Sequence, residues 1–261
     1  MDLYLLCLSL VQAVTEFLPV SSSAHLLLMA KIFSADHMTL EWEVALHFGT
    51  VLAVIVYFHK ELWAMALSCI RVLQSPKNAC ENFQKAMFLV CATVPTVCIG
   101  FVVKKVGVPS FSLEAMAFIT AAFGIFLYGA DSLSGNQQSF TFKKAFLLGL
   151  AQSAAFVPGV SRSGICITAA RLMGISKSEA VNFSFLLSIP VVMGAVTMTG
   201  LDMMKVETFI DWGVMMQAIT LTFFLGLCMI HFLLWYVSRF SFLLFMVYRI
   251  LLGVGIFFFV K

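Results

Sequence analysis

The sequence predicts an all-α polytopic membrane protein with six spanning helices and two re-entrant helix hairpins in an inverted repeat. Hydrophobic residues make up 61% of the 261 residues and charged residues only 11%. A soluble domain carries about 25% charged residues, because its surface must be solvated. Moreover, two of the apolar stretches are interrupted in the middle by proline and serine. We therefore expect most of the surface to face lipid and the interrupted stretches to carry the function.

Six stretches are long and apolar enough to cross a bilayer, which takes about 20 residues of helix. They are residues 44–59, 86–103, 113–130, 183–201, 212–234 and 242–260. The first is short for a span, and we expect it to extend beyond these limits. No long polar stretch separates them, so the chain is predicted to be one membrane domain over 1–261.

The two interrupted apolar regions are residues 3–33 and 145–173. The first is broken by LPVSSS at 18–23 and the second by PGVSRSG at 158–164. Proline and glycine interrupt a helix, and the freed backbone groups must then be satisfied within protein or a wet cavity. We predict two helix–loop–helix hairpins that enter the membrane and turn back, a pattern that indicates a binding site.

The two halves of the chain resemble each other. The segment EFLPVSS at 16–22 aligns with AFVPGVSRS at 155–163 if a small insertion is allowed, and EVALHF at 43–48 aligns with EAVNFS at 179–184. Three predicted spans separate the two hairpins, and an odd number reverses the orientation. The sequence thus predicts inverted repeats over 1–130 and 143–261.

Lys and Arg in short loops predict the orientation, because they are enriched on the cytoplasmic side. One side carries Lys60, Arg71, Lys77, Lys85, Lys143, Lys144, Lys177 and Arg239. The other side carries Lys31, Lys104, Lys105, Lys205 and Lys261. We expect the first set inside. Both chain ends then lie outside, and the hairpins enter from opposite faces and meet near the midplane.

Several functional classes are disfavoured. No run of Lys and Arg is dense enough to follow a nucleic-acid backbone, so we expect no nucleic-acid partner. The seven cysteines are scattered through apolar segments without a C-x-x-C pair, which argues against a disulfide or zinc framework. No Walker-type phosphate loop, GxGxxG or zinc-binding spacing occurs.

The first hairpin contains candidate reactive groups. Gln12 and Glu16 are four residues apart and so share one face of a helix. A carboxylate within apolar sequence is a functional candidate, although Glu16 could instead pair with an arginine to hold helices together. One serine of 21–23 could be a nucleophile activated by His25, or the serines could cap the returning helix.

The second hairpin has the features of an anion site. Backbone N–H groups at the start of a helix and the guanidinium of Arg162 both suit phosphate oxygens. The alternative is that Arg162 only neutralises Glu16, although a substrate phosphate could insert between the two. Glu43 and His47 could support the site or pair locally, and Arg171 could sit at a helix end or pair locally.

Three segments resemble one known family. They are QAVTEFLPVSSSAH at 12–25, PGVSRSG at 158–164 and NFSFLLSIP at 182–190. These motifs are similar to those of the undecaprenyl-diphosphate phosphatases of the bacitracin-resistance type, and the resemblance runs essentially end to end. It implies hydrolysis of the terminal phosphate of a C55 isoprenyl diphosphate, which releases the monophosphate carrier for peptidoglycan and other envelope polymers. It also implies the bacterial inner membrane, an active site open to the periplasm, bacitracin resistance and a possible homodimer.

The resemblance also implies roles for individual residues. Ser22 would be the nucleophile and His25 its proton-transfer partner, while Glu16 and Gln12 would bind a divalent cation, Mg²⁺ or Ca²⁺, or order the diphosphate. Arg162 would clamp the phosphates together with the remaining candidate substrate-binding residues, Ser21, Gly159, Ser161 and Ser163. The sequence departs from the family pattern at Gln12, Ala24 and Cys166, where a carboxylate, a glycine and a threonine are usual.

A lipid transporter is the main alternative to a hydrolase. Inverted repeats around broken helices are a common transporter plan, and a flippase for envelope lipids could use the same anion site. The Ser and His cluster beside a phosphate clamp favours hydrolysis, since transport needs no nucleophile.

Overall fold

The computed structural model describes residues 3–33, 40–75, 80–107, 111–133, 135, 138–205 and 211–259. Within these residues the regular structure is helical throughout, as predicted. The helices are α1 (Leu3–Thr15), α2 (Ser22–Ile32), α3 (Leu40–Tyr57), α4 (His59–Gln74), α5 (Glu81–Val106), α6 (Leu113–Leu133), α7 (Phe142–Gln152), α8 (Arg162–Leu172), α9 (Lys177–Met203), α10 (Trp212–Val237) and α11 (Leu243–Phe259). A short 3₁₀ turn, Ser153–Phe156, follows α7.

Four of the six predicted spans are confirmed as helices long and apolar enough to cross a membrane. They are α5, α6, α9 and α10, and they contain the predicted stretches 86–103, 113–130, 183–201 and 212–234. Each has at least 21 residues, which at about 1.5 Å per residue spans the roughly 30 Å hydrocarbon core.

The other two predicted spans are not confirmed as single spanning helices. The stretch 44–59 lies mainly in α3, which meets α4 at an angle of 72° after a break at Phe58, and the pair could be one broken span. Helix α11 has only 17 residues, or about 26 Å of helix. In the described part of the chain, length and composition thus give four spans, or five if α3 and α4 count as one.

Both predicted hairpins form as two helices with a break between them. The first break separates α1 from α2, and the second separates α7 from α8. Each break ends on a serine in the left-handed region, Ser21 with φ 74° and Ser161 with φ 73°, and the next helix begins at the following residue. Gly159 has φ 95°, and an added Cβ would lie 3.0 Å from the Met116 carbonyl oxygen. Entry of the hairpins into a bilayer stays a prediction.

The helices pack in matched pairs. Helix α1 of the first hairpin packs on α10, and α7 of the second hairpin packs on α5. Helices α3 and α9, which follow the hairpins, pack on each other, and so do α6 and α11. This pairing is what two inverted repeats would give, although the repeats themselves and the membrane orientation stay predictions. Lys77 and Lys261, which entered the charge count, lie outside the described residues.

Candidate active site

The tips of the two hairpins lie against each other. The Ser163 hydroxyl donates to the Leu18 carbonyl at 3.2 Å, and the Gly159 amide donates to Ser23 Oγ at 3.4 Å. Phe17, buried beside the first tip, packs edge-on against Phe185 of α9. The two broken segments, 140 residues apart in sequence, thus form one continuous structure.

Glu16 lies where the two tips meet. Its side chain is buried, and Ser22 Oγ donates to Glu16 Oε2 at 2.9 Å. Gln12 Nε2 donates to the same oxygen at 3.2 Å, as expected from the shared helix face. The other oxygen, Oε1, accepts from Arg162 Nη2 at 2.9 Å. One carboxylate therefore joins the serine of the first hairpin to the arginine of the second.

One N–H group of the Arg162 side chain has no hydrogen-bond partner among the described residues. Its Nη1 donates to the Ser184 carbonyl at 3.2 Å, which anchors the guanidinium to α9. Its Nε is buried and has no hydrogen-bond partner in the described part of the chain. A buried N–H without a partner is costly, so a ligand oxygen that accepted from Nε would bind more favourably.

His47 lies closer to the carboxylate than the sequence indicated. Its Nδ1 is 3.0 Å from Gln12 Nε2 and 4.0 Å from Glu16 Oε2, and the residue lines the cavity beside them. The spacing of Glu43 and His47 identified them as possible supports, and Glu43 also lines the cavity. Nothing in the linear sequence indicates that α3 brings His47 to Glu16.

The environment of His25 differs from the one expected for a proton-transfer partner of Ser22. His25 Nδ1 lies 2.7 Å from the Ser21 carbonyl oxygen, and Nε2 lies 2.6 Å from the Tyr248 hydroxyl. The carbonyl can only accept, so Nδ1 carries the proton and, in a neutral ring, Nε2 accepts from Tyr248. Both ring nitrogens are engaged, and the hydroxyl of Ser22 donates to Glu16 instead.

The other predicted residues divide into two groups. Ser161 lines the cavity together with Glu16, Ser22 and Arg162. Ser161 Oγ also caps α8 by accepting from the Gly164 amide at 3.2 Å. The remaining residues are buried and support the tips: Gln12, Ser21, Gly159 and Ser163. Arg171 lies in the last turn of α8, one of its two expected placements, and pairs with Asp131 of α6 at 3.0 Å.

Arg249 of α11 was missed in the sequence. The residue is fully buried, and its guanidinium donates to four backbone carbonyls. They are those of Thr120 at 2.8 Å, Pro19 at 3.1 Å, Gly159 at 2.8 Å and Val160 at 3.1 Å. A single arginine in an apolar helix was a signal, because an ionisable group inside a spanning segment is a functional candidate.

The cavity at this site has a volume of about 520 Å³ and two kinds of wall. One end is polar, where Glu16, Ser22, His47 and Arg162 meet. Most of the remaining lining is apolar and comes from α2, α3 and α9 through Leu26, Leu27, Ala30, Val44, Val191, Val192, Ala195 and Val196, and from Ala155 and Phe156 of the 3₁₀ turn. Ser23, Glu43, Thr96, Gln152 and Thr199 add further polar groups. A ligand with a charged head and a hydrocarbon tail suits such a cavity.

The residues present fit a divalent cation only in part. Glu16 offers a carboxylate, and Gln12 Oε1 is buried without a hydrogen-bond partner, so two oxygen donors are near each other. No cluster of three or more His, Cys, Asp or Glu that could hold a metal occurs among the described residues. Mg²⁺ commonly binds through one or two carboxylates plus substrate phosphates. The site thus suits an ion that the substrate helps to bind.

Comparison with known protein families agrees with these observations. The family model for the bacitracin resistance protein BacA matches residues 5–255, nearly the full chain. The match includes both hairpins, the cavity and Arg249. The chain therefore belongs to the bacitracin resistance protein family, which is the undecaprenyl-diphosphate phosphatase family expected from its motifs.

Proposed function

We propose that the protein hydrolyses undecaprenyl diphosphate to undecaprenyl phosphate and inorganic phosphate at the cavity between the two hairpins. The observation that carries this proposal is the hydrogen-bonded series Ser22, Glu16 and Arg162 at the polar end of that cavity. A hydroxyl, a proton acceptor and a guanidinium in contact are the groups that phosphoryl transfer to serine requires.

The two walls of the cavity account for a lipid substrate. The diphosphate would bind at the polar end, where Arg162 Nε is a free donor among the described residues and Ser161 caps the start of helix α8. The isoprenyl tail would lie along the apolar wall of α2, α3 and α9. Arg162 would exchange its bond to Glu16 for the phosphate oxygens, because guanidinium binds phosphate bidentately.

In the first step Ser22 Oγ attacks the terminal phosphorus in line with the anhydride oxygen. Glu16 accepts the hydroxyl proton, for which the 2.9 Å hydrogen bond is already formed. The bond between the terminal phosphorus and the bridging oxygen breaks, and the electron pair leaves with undecaprenyl phosphate. Arg162 offsets the charge on the equatorial oxygens.

In the second step water attacks the phosphorylated Ser22. The bond between the phosphorus and Ser22 Oγ breaks, Oγ takes the proton from Glu16, and the protons of the attacking water leave with inorganic phosphate as H₂PO₄⁻. His47, 4.0 Å from the carboxylate, is available to share the proton. An alternative remains in which water attacks the diphosphate directly and Ser22 only orients the phosphate. A divalent cation held by Glu16 and Gln12 would supply further charge neutralisation.

Membership in the family supports a particular biological setting. A multi-pass protein of the bacterial inner membrane, with the site open to the periplasm, would return the carrier lipid to peptidoglycan and envelope polymer synthesis. Continued recycling of that lipid would account for resistance to bacitracin. A homodimer remains a prediction from the family resemblance.

The test uses purified protein in detergent with a polyprenyl diphosphate and Mg²⁺ or Ca²⁺. We expect free phosphate to be released by the wild type and release to fall to background in Ser22→Ala. Thermal unfolding of both proteins controls for folding. If the Ser22→Ala variant kept full turnover, Ser22 would not be the nucleophile.

The same assay separates hydrolysis from transport. A flippase would bind the lipid diphosphate tightly and move it across proteoliposomes without releasing phosphate. Tight binding with no phosphate from the wild type under any metal condition would favour the transporter and overturn the proposed hydrolase.

A further inference from the structure

Arg249 connects both hairpin tips to α11. Its Nη1 donates to Pro19 in the first break, and its Nη2 donates to Gly159 and Val160 in the second. Its Nε donates to Thr120 of α6. Pro19 lies three positions before Ser22, and Val160 lies two positions before Arg162. One guanidinium therefore contacts the backbone just before the serine and just before the phosphate clamp.

The pairing of Arg249 is unusual for a buried charge. Among the described residues no carboxylate forms an ion pair with it, and the charge is balanced only by carbonyl dipoles. An unpaired buried charge is costly, and such groups are retained mainly where they serve a function. Backbone carbonyls at a helix break lack the N–H partners that a continuous helix would provide. Arg249 supplies hydrogen bonds to three of these carbonyls.

We infer that Arg249 is a positioning residue for the reaction: it fixes the distance between Ser22 on one tip and Arg162 on the other. It does not line the cavity and is not expected to touch substrate. The inference rests on the proposed hydrolysis. A displacement of reacting groups by about 1 Å costs on the order of 10²-fold in rate. Loss of Arg249 should therefore lower kcat more than it weakens binding.

Geometry at the second tip supports this role. The Val160 carbonyl and the Ser161 amide belong to one planar trans peptide, so they point in opposite directions. The bond from Arg249 to the Val160 carbonyl therefore also fixes the direction of the Ser161 N–H, which points away from Arg249. An amide at the start of a helix is a phosphate ligand when its direction is fixed.

The first experiment measures kcat, KM and lipid affinity for Arg249→Lys and Arg249→Met. We expect kcat to fall about 10²-fold in Arg249→Met. The dissociation constant for the lipid diphosphate, measured in a Ser22→Ala background, should change less than about threefold. Lysine retains the charge but reaches fewer carbonyls, so kcat of Arg249→Lys should lie about tenfold above that of Arg249→Met and about tenfold below that of the wild type.

Arg171→Lys is the matched control. Arg171 is also a buried arginine, but it binds Asp131 and the Ile175 carbonyl, away from both tips. We expect this variant to lose thermal stability to a similar extent as Arg249→Lys while kcat stays within about threefold of wild type, because no reacting group is displaced.

A second pair of variants leaves Arg249 intact. A Cβ added to Gly124 of α6 would lie 2.8 Å from Arg249 Cβ and 3.2 Å from its Cδ, so the arginine must shift. A Cβ added to Gly253 of α11 would lie 2.7 Å from the Ala117 carbonyl and crowds the same helix pair elsewhere. Gly124→Ala should therefore lower kcat at least about tenfold more than Gly253→Ala.

The outcomes are distinct. Wild-type kcat in Arg249→Lys, or equal losses in Gly124→Ala and Gly253→Ala, would overturn the positioning role while leaving hydrolysis intact. If Arg249→Lys fails to fold, the glycine pair decides. Absence of phosphate release from the wild type would instead reject the proposed function itself.

Discussion

The two hairpin tips share a backbone conformation but carry different chemistry. Ser21 and Ser161 have φ values of 74° and 73°, and each precedes the first residue of a helix. A buried glutamine stands nine residues before each serine, Gln12 in one hairpin and Gln152 in the other. Counted from these serines, without the insertion that aligns the two proline motifs, Phe156 occupies the position of Glu16, and Arg162 that of Ser22.

This difference indicates how a composite site arises. One way of breaking a helix is used twice, and the reactive groups are divided between the two copies. The first tip supplies the carboxylate and the hydroxyl, and the second supplies the guanidinium. Neither tip has both the proton acceptor and the phosphate clamp, so the chemistry depends on their contact and on what maintains that contact.

The largest expected effect comes from exchanging the carboxylate for its neutral amide. Glu16→Gln keeps the shape but cannot accept the proton of Ser22, so kcat should fall about 10³-fold. The equivalent position in the other hairpin is the comparison: Phe156 also lines the cavity but has no group that can accept a proton, so Phe156→Leu should lower kcat by at most about tenfold. Phosphate release at saturating lipid diphosphate measures both. Equal losses would mean that the two tips do not differ in role.

The next largest effect is expected at Arg162, the proposed phosphate ligand. Arg162→Lys keeps the charge but loses the planar fork, so we expect kcat/KM to fall about 10²-fold. Steady-state kinetics over a range of lipid concentrations measures this ratio. Near wild-type kcat/KM in the lysine variant would show that Arg162 acts as a simple charge and not as a bidentate ligand.

A smaller effect is expected at His25, which lies on the first tip only. His25→Gln and Tyr248→Phe break the same hydrogen bond, so each should lower kcat about tenfold, and the double variant should lose little more. The pH–rate profile should keep its shape. A loss as large as that of Ser22→Ala, together with loss of one limb of the profile, would support the proton-transfer role predicted from the family.

The smallest effect tests the shared backbone. Glycine accepts a positive φ without strain, so Ser21→Gly should change the free energy of unfolding by less than about 1 kcal/mol. Valine is strained there, and Ser21→Val should cost about 1–3 kcal/mol. At position 161 the glycine variant should again be more stable than the valine variant. Both variants should also lose the hydrogen bond that the Gly164 amide donates to Ser161 Oγ. Thermal or denaturant unfolding in detergent measures the free energy of unfolding of each variant. Equal stability of the glycine and valine variants would contradict backbone strain at these positive-φ positions.

The sequence was informative where local rules suffice. Apolar length predicted α5, α6, α9 and α10, and the proline and serine clusters predicted both breaks. The four-residue spacing of Gln12 and Glu16 predicted a contact that the structure contains. It was less informative for α3 and α11, because an apolar run does not reveal the 72° turn after α3 or the early end of α11.

Long-range partners could not be predicted from spacing. His25 follows the serines closely in sequence, yet the helix directs its ring to Tyr248, 223 residues away. His47 reaches the site through the packing of α3, and Arg249 through that of α11. These contacts depend on tertiary packing, which neither periodicity nor local motifs encode.

A double-mutant cycle of Ser22→Ala and Arg162→Ala tests the composite site most directly. Turnover is measured as phosphate released from a lipid diphosphate by wild type, both single variants and the double variant. Groups that act as a unit give non-additive losses, so each single variant should lose nearly all turnover and the double variant little more. Losses that multiply independently, or wild-type turnover in either single variant, would contradict a site built from both hairpins.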